Sequence, residues 1–208
     1  MTATPIAVGP TVRAPLILAS TSRYRRELLE RLRLPFRCEN PAIDESERFD
    51  EAPRDRAARL ALAKARAVAD RQPKAVVLGS DQVCALGAKI LRKPGNAATN
   101  REQLRALSAN TATFFTGVAV VSLQPGLWKQ HVDETRCIFR SLTDDEIEAY
   151  VDAEQAFDCA GGFKFEGLGI TLLERIETAD PTALIGLPLI WTASALRACA
   201  VMPLSSPR

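Results

Sequence analysis

The sequence predicts an α/β protein: a mixed β-sheet flanked by helices, with a second, more antiparallel lobe and a central cleft. Three observations point there. Short apolar runs alternate with helical stretches through the first half of the chain. Two longer β-patterned segments follow, at about 111–123 and 129–141, separated by Gln124-Pro125-Gly126. No repeat or long linker divides the 208 residues, so one domain of two lobes is expected over about 15–203. Residues 1–14 and 204–208 are expected to form a flexible leader and tail.

Leu16 to Ala19 is apolar and follows Pro15, so a buried strand is expected over about 16–20. Ser20, Thr21 and Ser22 are N-cap candidates for a helix over about 22–33. Arg23, Arg25 and Arg26 then occupy the positive end of that helix, where stability alone favours Asp or Glu. A local rule broken this plainly suggests a site. Hydroxyls, free backbone N–H groups and guanidinium groups at a helix start form an anion trap, most naturally for phosphate. Three solvated arginines on a surface helix are the alternative.

A short strand near 36–39 and an irregular acidic segment, Ile43-Asp44-Glu45-Ser46-Glu47, come next. A helix runs from Pro53 to about Asp70: Pro53 suits a first turn, the interior is rich in Ala, Leu and Arg, and Pro73 closes it. Ala75 to Ala85 reads as a strand, Pro94-Gly95 as a turn and Thr99 to Leu107 as a helix. Thr143-Asp144-Asp145-Glu146 is a capping box opening a helix that ends near Ala153. The glycine-rich stretch Gly161 to Gly169 precedes a strand at about 169–177, and a last helix covers about 188–200.

Composition excludes several function classes. A net charge of +2 does not indicate a generic polyanion binder, and no aromatic-plus-basic stripe suggests nucleic acid. The five cysteines are widely spaced, with no CxxC pair, which argues against a disulfide framework or a structural zinc site. The single histidine, His131, lies in a polar run and reads as a solvated strand residue, so Ser–His and Cys–His chemistry are disfavoured. No secretory signal or membrane span is visible, because prolines interrupt the start and the apolar C-terminal stretch contains Arg197. A cytoplasmic protein is expected.

Asp81 stands inside a run as apolar as a central strand, Ala75 to Cys84. A carboxylate there is costly unless it meets a cation, a metal or several donors. It reads as a metal ligand or base, or else as a structural Asp taking backbone N–H bonds. Asp44 and Glu45 read as a solvated acidic turn unless the fold brings Glu45 to Asp81. Lys93, fixed by Pro94, can be aimed at a phosphate. Lys64 lies on a small-residue helix face, where a solvated or snorkelling lysine is the ordinary outcome. If Phe163-Lys164-Phe165-Glu166-Gly167 is extended, Lys164 and Glu166 share one face.

Together these segments resemble the Maf family of nucleotide pyrophosphatases. The resemblance runs from Leu16 to about Arg197, through Leu18-Ala19-Ser20-Thr21-Ser22 with Arg25-Arg26, Asp44-Glu45, Leu60-Ala61 with Lys64-Ala65, Gly79-Ser80-Asp81-Gln82-Val83, Lys93-Pro94, Thr116-Gly117 and Gly186-Leu187-Pro188-Leu189. It implies an elongated Maf / ITPase-like fold and hydrolysis of a nucleoside triphosphate to the monophosphate and diphosphate, with Mg²⁺ or Mn²⁺ as cofactor. It implies Asp81 as proton acceptor, Glu45 as second essential carboxylate, both as metal ligands, and Lys93 as a further catalytic group. Ser20, Arg25 and Lys64 match positions that surround the triphosphate.

Tyr24, Gln82 and Glu166 match substrate-selecting positions and resemble the branch acting on 7-methyl-GTP. The dTTP/UTP branch carries arginine, threonine and glutamine at those places. A carboxylate can accept two hydrogen bonds from the guanine N1–H and N2–H₂ edge. A methylated, cationic purine can gain about 1–2 kcal/mol from an aromatic face, although Tyr24 stands where tryptophan is expected. The same reaction on dTTP or UTP, and a nucleotide-binding regulator of septum formation, remain the alternatives. A nucleotide substrate, no nucleic acid and no membrane are expected as partners; a homodimer is left open.

Overall fold

A computed structural model of the protein describes residues 14–202 and Leu204. The expected leader and tail otherwise lie outside the described residues. Ala14 packs on the core beside β1.

The order of elements is β1 (Leu16–Leu18), α1 (Arg23–Glu30), β2 (Phe36–Cys38), α2 (Pro53–Arg71), β3 (Val76–Leu86), β4 (Lys89–Leu91), α3 (Ala97–Leu107), β5 (Thr111–Ser122), β6 (Leu127–Phe139), α4 (Asp144–Glu154), β7 (Leu173–Glu177) and α5 (Leu189–Ala198). The strands form one seven-stranded sheet in the order β2-β1-β3-β5-β6-β7, with β4 also on β3. β2, β1 and β3 run parallel, and every other pairing is antiparallel. The sheet is mixed, as the sequence pattern predicts.

Three differences from the sequence reading have local causes. The strand at 16–20 ends at Leu18, because Ser20 N–H turns back to the Leu18 carbonyl at 2.9 Å. β4 is unforeseen: Gly87, at φ +60°, closes a tight hairpin that folds 89–91 onto the end of β3. The glycine-rich stretch is not extended. Residues 165–167 turn, Leu168–Leu172 forms a 3₁₀ helix, and the strand begins only at Leu173. Lys164 therefore pairs with Glu154 at 2.7 Å and not with Glu166.

Alternation along the central strands divides the core. Leu16, Leu18, Val76, Leu78, Val118 and Val120 face α1 and α5. Ile17, Val77, Ala119 and Val121 face α2. A third cluster gathers Cys84, Leu104, Phe114, Phe139, Ile147 and Phe163 at the other end of the sheet. The two long strands β5 and β6 continue from one end to the other, which is why one sheet serves all three clusters.

α2 lies unusually close to the sheet. A Cβ on Gly79 would strike the Ala61 carbonyl and come within 2.6 Å of the Ala65 nitrogen, and one on Gly117 would strike the Ala57 backbone. Ala57, Ala61 and Ala65 on the helix face these two glycines, so backbone meets backbone with no side chain between. Gly79→Ala must push α2 off the sheet and is expected to destabilise the fold by about 1–3 kcal/mol, read as a lowered urea midpoint with an unchanged m-value.

Asp133 on β6 is buried, and its Oδ1 has no hydrogen-bond partner. Burial, then the charge of Asp180, raises its pKa above the ordinary carboxylate value, with His131 opposing. The unfolded chain therefore loses this proton first, so stability falls as pH rises from about 4 through the raised folded value. Asp133→Asn is expected to abolish that slope and to melt higher than the parent at pH 7, with the gap closing below about pH 4.

Candidate active site

The site occupies a gap in the sheet. β1 covers one edge of β3 as far as Leu78, where Ala19 N–H makes the last bond, and β4 covers it again from Cys84. Residues 79–83 are bare on that edge, at the carboxyl end of β1 and beside the start of α1. Ligand crevices in open α/β sheets form at such changes of strand direction. Because no strand fills the gap, side chains from both faces of β3 reach one cleft. Asp81 comes from the α2 face and Gln82 from the opposite face.

The cleft has a volume of about 770 Å³, and all nine residues expected from the sequence line it: Ser20, Tyr24, Arg25, Glu45, Lys64, Asp81, Gln82, Lys93 and Glu166. Arg23, Arg56, Arg92 and Lys164 join them, so cationic side chains outnumber the carboxylates Glu45, Asp81, Asp158 and Glu166. Such a lining attracts a polyanion.

At its base, Lys64 Nζ donates to Asp81 Oδ1 at 2.6 Å and lies 2.9 Å from Glu45 Oε1. Lys64 and Asp81 are buried, with side chains 8% and 11% exposed, whereas Glu45 is 54% exposed. Taken singly, Lys64 reads as an ordinary solvated lysine and Glu45 as part of a solvated turn; the Maf resemblance alone assigned both to the site. The fold brings both to Asp81. The close approach of α2 to Gly79 sets this distance, since Lys64 and Ala65 follow Ala61 on the same helix.

α1 begins as the sequence predicts. Ser22 is the N-cap, its Oγ accepting from Arg25 N–H, and Ser20 Oγ accepts from Ser22 N–H at 3.1 Å. No acidic residue occupies the first turn. Arg25 Nε donates to the Gly186 carbonyl at 3.0 Å. Burial lowers the Arg25 pKa, while Asp81 and Glu45 pull it the other way. Among the described residues, no hydrogen bond engages its two terminal nitrogens.

Leu184, Ile185 and Gly186 form one wall; the sequence marked Gly186 only as part of a family motif, with no role in the site. Ser80 Oγ lies 2.8 Å from the carbonyls of both Gly117 and Gly186 and shares its single proton between them. Gln82 Nε2 donates to the Ala183 and Leu184 carbonyls at 3.0 and 2.9 Å, which fixes the amide orientation, because carbonyls only accept. What Gln82 can offer a ligand is therefore its carbonyl oxygen.

Tyr24 differs from expectation. The Arg23 guanidinium lies 4.7 Å from its ring centroid and donates to its hydroxyl at 2.8 Å, so one π face is already occupied by a cation. Stacking on a base is confined to the other face. Glu166 is exposed on a turn braced from behind: Glu154 accepts from Lys164 Nζ and Leu168 N–H, and Tyr150 accepts from Lys164 N–H. Lys93 is exposed on the facing rim. His131 lies away from the cleft, stacked on Trp191. All five cysteines are free thiols, and burial pushes Cys137 up to about 12 and Cys159 to about 11, so neither is a thiolate nucleophile at neutral pH.

A sheet interrupted beside a basic helix start, with buried carboxylate–ammonium chemistry below, defines a phosphate-directed α/β protein. The chain belongs to the Maf family: residues 15–199 match the family described as Maf-like protein. It is 54% identical over 195 residues to a protein named 7-methyl-GTP pyrophosphatase from Polaromonas sp. strain JS666, covering 94% of this chain and 89% of that one. Proteins of the same name from Aromatoleum aromaticum and Pseudomonas fluorescens are 52% and 50% identical, over 88% and 85% of this chain and 94% and 92% of theirs.

The buried ion pair makes a stability prediction. Lys64→Met leaves Asp81 without its cation and is expected to cost about 3 kcal/mol, and Lys64→Met/Asp81→Leu should recover most of it. Differential scanning calorimetry of the two variants checks this.

Proposed function

We propose that this protein is a nucleoside triphosphate pyrophosphatase that converts 7-methyl-GTP to 7-methyl-GMP and diphosphate. The observation that carries the reading is the meeting of Asp81 and Glu45 on the Lys64 ammonium at the base of a cation-lined cleft. The relatives named for this activity, about half identical over most of the chain, support the substrate.

A divalent cation, Mg²⁺ or Mn²⁺, fits the two carboxylates. Among the described residues no group of three or more His, Cys, Asp or Glu side chains converges as a metal site. Mg²⁺ is commonly held by one or two carboxylates together with substrate phosphates, and Asp81 and Glu45 already converge on a cation. These two residues would hold it, and when bound it would neutralise phosphate charge.

Lys64 engages Asp81 Oδ1 and leaves Oδ2 to take a proton from the attacking water. The water oxygen bonds to the α-phosphorus, the bond to the α–β bridging oxygen breaks, and diphosphate leaves with its electrons. Arg25, Lys64 and Lys93 stabilise charge on the departing group, and Ser20 with the α1 N-terminus cradles phosphate oxygens. No covalent nucleophile is needed.

At the far rim, Glu166 accepts from the guanine N1–H and N2–H₂ edge. The Gln82 carbonyl oxygen adds an acceptor, and the free Tyr24 face stacks on the base. Uracil and thymine offer Glu166 one donor flanked by repelling carbonyls.

Diphosphate release from 7-methyl-GTP, GTP, dTTP, UTP and CTP tests the reading. Preference for 7-methyl-GTP is expected. Asp81→Asn should lower kcat by about 10²–10⁴-fold, and Glu166→Gln should erode the preference over UTP by about 10-fold or more. Preference for dTTP or UTP in the parent would overturn the base assignment, and no release from any triphosphate would overturn the reaction.

A further inference from the structure

We propose that Arg59, locked by Glu51, is a positioning residue that holds Glu45 in the site; this rests on the pyrophosphatase reading. Glu45 is carried by a stretch, 39–48, that is neither helix nor strand. Its carboxylate lies 2.9 Å from Lys64, and the local brace is Asp44, which accepts from Ser46 N–H at 2.9 Å and Ser46 Oγ at 2.8 Å; that turn is not itself tied to the sheet. The hold comes from α2. Arg59 grips Glu51 through two parallel bonds, Nε to Oε1 at 2.5 Å and Nη2 to Oε2 at 2.6 Å. This fork is well covered, with side chains 19% and 10% exposed, unlike most ion pairs on this surface. The same Arg59 Nη2 donates to the carbonyl of Ser46, the residue next to Glu45, at 3.2 Å.

One turn earlier on the helix, Arg56 donates to the carbonyl of Glu45 itself at 2.9 Å. Arg56 also meets Glu47 at 3.2 Å, and Glu47 reaches Arg92, beside Lys93, at 2.6 Å. Arg56 and Arg92 line the cleft and can touch an anion directly. Arg59 does not line it, although its charge is felt by Asp81; Arg59→Lys keeps that charge, so a loss of turnover in that variant passes through the loop. The grip falls on two successive backbone carbonyls, those of Glu45 and Ser46, and so ties the chain that leaves Glu45 to α2. Lysine cannot replace it, since an ammonium lacks the planar fork that serves Glu51 and Ser46 together.

Arg59→Lys and Glu51→Gln are compared with the parent by steady-state turnover of 7-methyl-GTP and by hydrogen exchange of segment 44–51 without nucleotide. Each variant is also made in a Glu45→Gln background. Each single variant is expected to exchange faster in 44–51 and to lose about 10-fold or more in kcat with little change in KM. In the Glu45→Gln background the further loss should be small, because the residue being positioned is gone. A full additional loss in that background would overturn the proposal, as would parent-like exchange and turnover in both variants. A parent that releases no diphosphate would sink the pyrophosphatase reading and with it the effect of Arg59 on turnover. Exchange in 44–51 would still show whether Arg59 holds the loop.

Discussion

The approach of α2 to the sheet at Gly79 and Gly117 governs the geometry of everything around it. Two glycines and three alanines let a helix backbone rest on strand backbone. At that distance a lysine one turn further along the helix reaches a carboxylate on the strand, and its ammonium is buried with it. A single methyl group between helix and sheet would separate the pair. Burial of both charges is tolerable only because each has the other, and because Glu45 approaches from the loop to share the same nitrogen.

The same close packing explains how the 39–51 stretch is organised without regular structure. Its carbonyls are taken by guanidinium groups from one face of α2, at Arg56, Arg59 and, through Asn40 and Pro41, Arg71. A helix rich in arginine therefore serves two surfaces at once. Small residues meet the sheet, and long cationic residues collect the chain that crosses above it. The bare edge of β3 completes the arrangement, since a strand lying there would cover Asp81 and separate Gln82 from the cleft.

Charge is distributed against local stability in one place and with it in others. α1 carries arginines at its positive end and no acid in its first turn, which disfavours the helix unless an anion binds there. α4 shows the opposite pattern, with a complete capping box and Asp144, Asp145 and Glu146 in its first turn. Both helices belong to one protein, so the contrast follows from what each helix end faces. α4 faces solvent and the arginines of α3, whereas α1 faces the cleft.

The sequence alone determined the order and type of nearly every element, because periodicity, capping residues and prolines act within a few residues of themselves. It also exposed Asp81 and the α1 arginines, whose oddity is local: a charge in an apolar run, and cations at the wrong end of a helix. Tertiary structure decided what depends on distances between elements. Lys64 and Glu45 are locally ordinary, marked only by the motif resemblance, and their meeting with Asp81 depends on α2 settling on Gly79. Arg59 behind its loop and the Arg23 cover on Tyr24 had no sequence signal specific to them, and the Gly186-Leu187-Pro188-Leu189 motif did not reveal that its segment walls the cleft. β4 and the turn at 165–167 were missed because tight glycine turns reverse the chain within two or three residues, below the reach of a period. Propensity sets what a segment becomes, but which side chains meet depends on how closely two backbones can approach.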